Sequence, residues 1–323
     1  MSRPGLYTDG SLLDATFPLP LDEPFTNVQA RAAGVSRSVL ARLVRDGYLR
    51  RLLPSVYVTA AVVDGLALRC KALALVVPPG AVITDWTAVW LWTGMLPWGD
   101  HLRVPPVSVF LHAGQGRLRN RLVDSGERSF LPRDVVVIDG LAVTTPLRTA
   151  CDVGRLSSRD LAMAGLDALL RHGTFTLEEL LAELDRFRRQ RGVVQLRCLA
   201  PLAITKSDSA AESVLRLRWL DLASLPRPEP QVPVLDDSGR EVYYLDLGVP
   251  DLRFAAEYDG EEFHTSEEDR DHDAERREWI RRERDWTIRA VRRHNLFGAT
   301  RDIESILHQG VDEARRSLGA FRP

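Results

Sequence analysis

The sequence predicts an α/β protein of the mixed α+β, multi-domain kind. Three observations support this: a helix, turn, helix, strand, strand order over residues 25–60, mixed strand and helix patterns over 61–205, and a helix, hairpin, strand, helix, strand, helix order over 206–323. With 323 residues, of which 45% are hydrophobic and 27% charged, the chain can form two or three separate cores. Residues 1–24 are proline-rich without period and predict a loose N-terminal arm.

The region 25–60 has the order of a winged helix-turn-helix. Apolar residues at helical spacing form a first face, Gly34 interrupts it, and Ser36 can cap a second helix. An Asp-Gly pair ends that helix. The alternating segments Tyr48–Leu52 and Ser55–Thr59 then predict a short hairpin around Pro54.

This region carries a local charge of +5, because six arginines and one aspartate lie between Asn27 and Arg51. Arginines on the second helix and the wing of such a fold can contact phosphates and base edges in a major groove. The alternatives are a solvated basic face or a protein contact. The predicted nucleic-acid contacts here are Arg37, Arg42, Arg45, Arg50 and Arg51.

The middle region predicts a mixed α+β domain. Trp86 and its neighbours indicate a buried helix, Val104–Leu111 and Val135–Val143 read as strands, and a helix begins at Pro146. The stretch Arg186–Arg197 contains five arginines and no acid. It is either a second phosphate-facing patch or a solvated helix end.

Three acids in the last region suggest a metal site. Glu212 lies in a predicted helix, Asp246 ends a predicted strand, and Glu257 lies inside the next apolar strand. A carboxylate in such a strand needs a partner, and a hard divalent cation, Mg²⁺ or Mn²⁺, is a natural one. A bound cation of this kind lowers the pKa of a coordinated water and neutralises phosphodiester charge. Glu212 could instead close a capping box with Ser209, and Asp246 could be a turn residue.

The charge distribution agrees with this interpretation. Residues 241–275 carry a local charge of -11, and residues 276–293 carry +5. A basic helix beside an acidic basin suits a polyanionic substrate, so Arg276 and Arg277 are candidate DNA contacts. The alternative is a salt-bridged, solvated helix. His264, in a predicted loop, is a candidate general base, because imidazole titrates near neutrality.

The span LDLGVPDLRFAAEYDGEEFH, with the Trp286–Arg289 strand that follows, resembles the PD-(D/E)xK nuclease superfamily, and more closely the branch related to very-short-patch repair endonucleases. The resemblance covers about residues 207–297. It implies that Asp246, Glu257 and the backbone carbonyl of Tyr258 hold the metal, with support from Glu212. It also implies a role for His264. Asp259 stands where the superfamily has lysine, so His264, Arg276 or Arg277 would have to supply the activating cation.

Residues from about 25 to 200 resemble the AbiEi-type antitoxins, through the winged helix and the motif VTTPLRTACDVGR at Val143–Arg155. The two resemblances together imply a metal-dependent DNA endonuclease with a winged-helix module. The alternative is a non-catalytic DNA-binding regulator or antitoxin with a degenerate nuclease domain. Expected partners are duplex DNA and either a cognate toxin or a second copy of the chain.

Cysteine usage and hydropathy bear on the expected location. Three widely spaced cysteines suit a reducing compartment. The longest apolar run, Ala72–Ile83, contains two prolines and a glycine and is too short for a membrane span. We therefore expect a cytoplasmic protein without a membrane segment.

Overall fold

The computed structural model describes residues 7–9, 12–96, 106–116, 118, 123–259 and 267–320. It confirms the predicted fold class, since helices combine with mixed and antiparallel sheets. The chain divides into two compact units: unit 1 is Met1–Val153 with His172–Phe175, and unit 2 is Gly154–Arg171 with Thr176–Pro323. The domain boundaries expected after residues 24, 60 and 205 stay predictions. Within the described ranges, no helix is long and apolar enough to cross a membrane.

Unit 1 contains a small winged helix followed by a five-stranded mixed sheet with helices. The elements up to the end of the winged helix are β1 Thr8–Asp9, β2 Leu12–Leu13, β3 Phe25–Thr26, α1 Asn27–Ala32, α2 Arg37–Arg45, β4 Leu49–Leu53 and β5 Val56–Thr59. The later elements are α3 Leu66–Ala74, β6 Val82–Ile83, α4 Asp85–Thr93, β7 Val107–His112, β8 Val123–Arg128, β9 Val135–Ile138, β10 Leu141–Thr144 and α5 Pro146–Leu156, which continues into unit 2.

The winged helix forms as its sequence predicts. The hydroxyl oxygen of Ser36 accepts a hydrogen bond from the amide of Val39 at 3.3 Å and caps α2. One face of α2 buries Leu40 and Leu43 against a core that includes Phe25. The strands pair in the order β3-β5-β4, all antiparallel.

The expected loose arm is packed where the structure describes it. Phe17 is 5% exposed, and its ring centroid lies 5.9 Å from that of Phe25. The hydroxyl of Thr59 on β5 donates to the carbonyl of Leu21 at 2.6 Å. The apolar side chain therefore has a place in the core that the absence of periodicity did not reveal.

The second sheet of unit 1 has the order β8-β7-β6-β10-β9. The single strand expected over Val135–Val143 is wrong: β9 and β10 form an antiparallel hairpin. The reason is the turn at Asp139 and Gly140, whose φ angles of 49° and 80° suit a two-residue hairpin connection. Of the strand expected over Val104–Leu111, Val104 lies outside the described residues, and the described strand is β7.

Unit 2 contains a helical part and a four-stranded sheet. Its elements are α6 Arg159–Arg171, α7 Leu177–Glu183, α8 Val193–Leu199, α9 Ala210–Leu220, β11 Glu229–Leu235, β12 Glu241–Val249, β13 Phe254–Tyr258, α10 Glu267–Arg284, β14 Thr287–Val291, α11 Arg293–Leu296 and α12 Ile303–Ala320. The sheet order is β11-β12-β13-β14. The first three strands are antiparallel, while β13 and β14 are parallel because α10 provides the crossover. The element order predicted for this region is therefore confirmed.

Candidate nucleic-acid interface and carboxylate cluster

The solvent-facing side of α2 carries three of the predicted arginines. Arg37, Arg42 and Arg45 are exposed, while Leu40 and Leu43 on the opposite side are buried. At about 100° per residue, these three arginines lie within an arc of about 140° of the helix surface. The three guanidinium groups can therefore contact a polyanion while Leu40 and Leu43 stay buried in the core.

The two wing arginines are less accessible than expected. Arg50 and Arg51 lie on β4 and are half-buried. The guanidinium of Arg50 donates a hydrogen bond to the backbone carbonyl of Val62. Arg50 therefore holds the chain that follows the wing, which is a structural role that the spacing of charges did not reveal.

The motif at Val143–Arg155 forms a buried ion network in unit 1. Arg148 donates to the carboxylate of Asp134 at 2.6 Å and, through Nε, to that of Asp152 at 2.8 Å. Asp152 also receives a hydrogen bond from Arg128, which pairs with Asp85 at 2.8 Å. Burial opposes the charge of Arg128, but its two carboxylate partners outweigh this and raise the pKa of the guanidinium. Only the i,i+4 spacing of Arg148 and Asp152 hinted at this network in the sequence.

Asp246 and Glu257 are neighbours across the sheet of unit 2. Leu247 pairs with Ala256 in the antiparallel register of β12 and β13, so continuing this register by one residue sets Asp246 opposite Glu257. The backbone N–H of Tyr258 donates to the Asp246 carboxylate at 2.8 Å. The structure thus brings together two acids that the sequence separates by eleven residues.

The electrostatics of Asp246 differ strongly from those of a surface aspartate. Its carboxyl group is desolvated and faces the negative charges of Glu212 and Glu257, which together raise its pKa to about 8. The Tyr258 amide and Arg276 oppose this shift but do not cancel it. Asp246 is therefore largely protonated at neutral pH when no cation compensates it.

Glu212 combines a local role with its place beside Asp246. Its backbone N–H donates to the hydroxyl of Ser209 at 3.1 Å, which caps α9, while its carboxylate accepts from the backbone N–H of Asp208 at 2.9 Å. Burial raises the pKa of Glu212. The Ser209 cap is therefore present, but the expected capping box is not closed, because the Glu212 carboxylate accepts from the amide of Asp208 and not from that of Ser209.

Glu257 is 3% exposed and is neutralised by arginines of α10. Arg276 donates to its two carboxylate oxygens at 3.1 and 3.2 Å, and the Nε of Arg277 lies 3.3 Å from one of them. Arg277 also approaches the carboxylate of Asp259 at 3.5 Å. Both arginines expected to contact DNA therefore make ion pairs inside the protein.

The remaining predicted site residue, His264, lies outside the described residues. Among those that are described, no group of three or more His, Cys, Asp and Glu side chains is arranged to hold a metal ion. The assignments of Asp246, Glu257, Tyr258 and Glu212 to a magnesium or manganese site stay predictions.

Comparisons with known proteins match part of the chain. Residues 22–60 match the family described as "Transcriptional regulator, AbiEi antitoxin". Two Mycobacterium tuberculosis proteins, the uncharacterized proteins MT2308 of strain CDC 1551 and Rv2248 of strain H37Rv, are each 37% identical over 152 residues. This stretch is 47% of the present chain and 55% of each relative, so the chain spans about half the length of the curated relatives it matches. The family match covers the winged helix from β3 to β5.

Proposed function

We propose that this protein is a DNA-binding transcriptional regulator of the antitoxin type, and that α2 contacts duplex DNA. The observation that carries the proposal is the face of α2 on which Arg37, Arg42 and Arg45 are exposed above a buried core. The family match to residues 22–60 supports it, since that segment contains α2. A cognate toxin as the protein partner follows from the same match and belongs to the proposal.

The chemistry of α2 suits contact with a duplex. A helix of this kind fits the major groove, where arginine can bind phosphate oxygens or make a bidentate contact with guanine. Each phosphate contact releases counterions and makes the fall of log affinity with log salt steeper by about 0.9; the steepness of this fall is called the salt slope below. A regulator of this design therefore binds DNA with a strong dependence on salt.

The test is a fluorescence anisotropy titration of the full chain with labelled DNA from its own promoter region and with a random duplex of equal length. We expect Arg42→Ala to weaken binding and to lower the salt slope by about 1 if the residue contacts a phosphate. Arg240→Ala is the matched control, because Arg240 is an exposed arginine that pairs with Asp236 in unit 2. Equal affinities and slopes for wild type and the Arg42 variant would contradict the proposal.

A second candidate function is metal-dependent phosphodiester hydrolysis in unit 2. It is favoured by the desolvated Asp246 carboxyl group, whose raised pKa marks a place where a cation would be stabilised. The residues that would hold Mg²⁺ are Asp246, Glu257 and the carbonyl of Tyr258, and a bound Mg²⁺ supplies a polarised water and charge neutralisation. Arg276 and Arg277 would have to release Glu257 for that carboxylate to act as a ligand.

The two functions are separated by a nuclease assay on supercoiled, linear and single-stranded DNA with Mg²⁺, Mn²⁺ or EDTA. Hydrolysis that needs metal and is lost in both Asp246→Ala and Glu257→Ala would support the second candidate. Absence of cutting, together with DNA binding that both variants retain, would leave the regulator as the function.

A further inference from the structure

The loop between α7 and α8 presents arginines that the winged helix does not explain. A 3₁₀ turn, Leu184–Phe187, ends in this loop, and Arg188, Arg189 and Arg191 follow it. All three residues are exposed, and none of them makes an ion pair with any described residue. We call residues 188–192 the arginine loop.

The two arginines that flank the arginine loop, unlike the three within it, make ion pairs with nearby acids. Arg186 pairs with Glu183 at 3.3 Å, and Arg197 pairs with Asp185 at the same distance. The acids near the loop in sequence are therefore already paired. The three loop arginines keep their charge available to solvent or to a ligand.

The backbone of the arginine loop is fixed by contacts below it. Phe187 is 1% exposed, and the guanidinium of Arg155 lies 4.7 Å from its ring centroid. Arg155 also donates to the carbonyl of Arg191 at 2.8 Å. Gly192 has a φ of 76°, and a Cβ there would lie 1.8 Å from the carbonyl oxygen of Arg155. The loop therefore rests directly on the backbone of Arg155, in the last turn of α5, which belongs to unit 2.

One residue of the loop is held in an unfavourable conformation. Arg189 has a φ of 64°, in the left-handed region that side chains other than glycine rarely adopt. Such a conformation is strained and persists only where the surrounding structure imposes it. Because the backbone of the loop is already fixed, ligand binding costs little backbone conformational entropy.

We propose that the arginine loop is a second phosphate-binding surface, which contacts the sugar-phosphate backbone of duplex DNA. The planar guanidinium group matches the oxygens of a phosphate and binds them in pairs. The loop offers three of these groups but no exposed aromatic or aliphatic anchor, which protein interfaces usually need. Contacts of this kind position a protein on DNA without reading its sequence. The class of ligand rests on the proposed function.

The test is the triple variant Arg188→Gln, Arg189→Gln, Arg191→Gln in the full chain, titrated with a labelled random duplex at several salt concentrations. Three phosphate contacts add about 2.7 to the salt slope, so their loss lowers the slope by about that amount and weakens binding by up to about 500-fold at 0.1 M salt. A loss of at least about 10-fold with a lower slope is the expected result. Circular dichroism melting shows whether the fold is retained, and the single Arg188→Gln and Arg191→Gln variants repeat the test if the triple variant melts early.

A matched control removes three positive charges from arginines of unit 2 that already have partners. These are Arg240, Arg253 and Arg301, which pair with Asp236, Asp285 and Glu304. Their replacement by glutamine leaves the slope unchanged if the effect is specific to the arginine loop. An equal loss of affinity in both triple variants would show that the effect comes from net charge alone, and it would overturn the inference.

A third variant separates this inference from the proposed function. It replaces Arg37, Arg42 and Arg45 of α2 by glutamine. If it loses binding while the loop variant keeps wild-type affinity and slope, the arginine loop has no role and the proposed function stands. If only the loop variant loses binding, α2 is not the contact and the proposed function falls. A wild-type chain that binds no duplex overturns both.

Discussion

Replacement of Asp246 by asparagine tests whether deprotonation of the buried carboxyl group lowers the free energy of unfolding. The pKa of Asp246 is raised from 3.8 to about 8, so the folded chain keeps a proton that the unfolded chain releases above about pH 4. The stabilisation from this proton is complete below the unfolded pKa and is lost as the pH rises towards 8. Asparagine has no charge to desolvate, and its carbonyl oxygen can still accept the Tyr258 N–H.

The size of the stability change follows from the shift in the pKa of Asp246. One pKa unit corresponds to about 1.4 kcal/mol, so the three units between pH 5 and pH 8 correspond to about 4 kcal/mol. The carboxyl group of Asp246 is desolvated, but the residue as a whole is half-buried, so nearby solvent screens part of this energy. We therefore expect about 2 kcal/mol of stability to be lost by wild type, relative to Asp246→Asn, between these two pH values.

Urea denaturation at pH 5, 7 and 8.5, followed by tryptophan fluorescence, measures this difference. Subtracting the variant from wild type removes the contribution of titrating groups that do not interact with Asp246. The same difference in unfolding free energy at pH 5 and pH 8.5 would refute the reasoning, because the pKa of Asp246 would then be close to that of a free aspartate.

Three further predictions concern stability and are each measured by thermal melting. Arg148→Met leaves the carboxylate of Asp152 buried with a lost partner and costs about 3–5 kcal/mol, whereas a cost below about 1 kcal/mol would show that the network relaxes. Gly192→Ala costs about 3 kcal/mol because of the backbone contact. Gly239→Ala, at a positive φ but in open space, costs only about 1 kcal/mol, and equal costs would contradict this account. Glu257→Gln removes the charge between two guanidinium groups and costs about 1–3 kcal/mol; an unchanged melting temperature would show that this ion pair adds nothing.

Local patterns were sufficient to predict several elements. The hydrophobic spacing of α2, with Ser36 before it, indicates a capped amphipathic helix, and the structure contains one. The element order of the C-terminal region also follows from period and turn residues, because each element has its own repeat length. Such signals depend on a few adjacent residues and do not require knowledge of what packs against them.

Apolar composition and periodicity gave wrong predictions at two places. The apolar run at Val135–Val143 has the composition of one strand, yet the chain reverses at Asp139, and the two halves pair with each other. Phe17 lies in an aperiodic segment, yet it packs beside Phe25. In the first case the deciding feature is a two-residue turn inside the run, which apolar composition does not register; in the second it is an aromatic partner outside the segment.

For the carboxylate cluster, too, the sequence decides some properties and the tertiary structure decides others. The sequence by itself determined which residues can ionise and that Glu257 stands in an apolar strand, where a carboxylate needs a partner. Only the tertiary structure decided which partner that is: Arg276 and Arg277, on a helix that returns across the sheet. Likewise, only folding places Asp246 opposite Glu257 through the β12–β13 register, and burial, together with the charges of Glu212 and Glu257, raises the pKa of Asp246. The type of ionisable group is a property of one residue, but whether the group is charged depends on the burial and the neighbours that folding supplies.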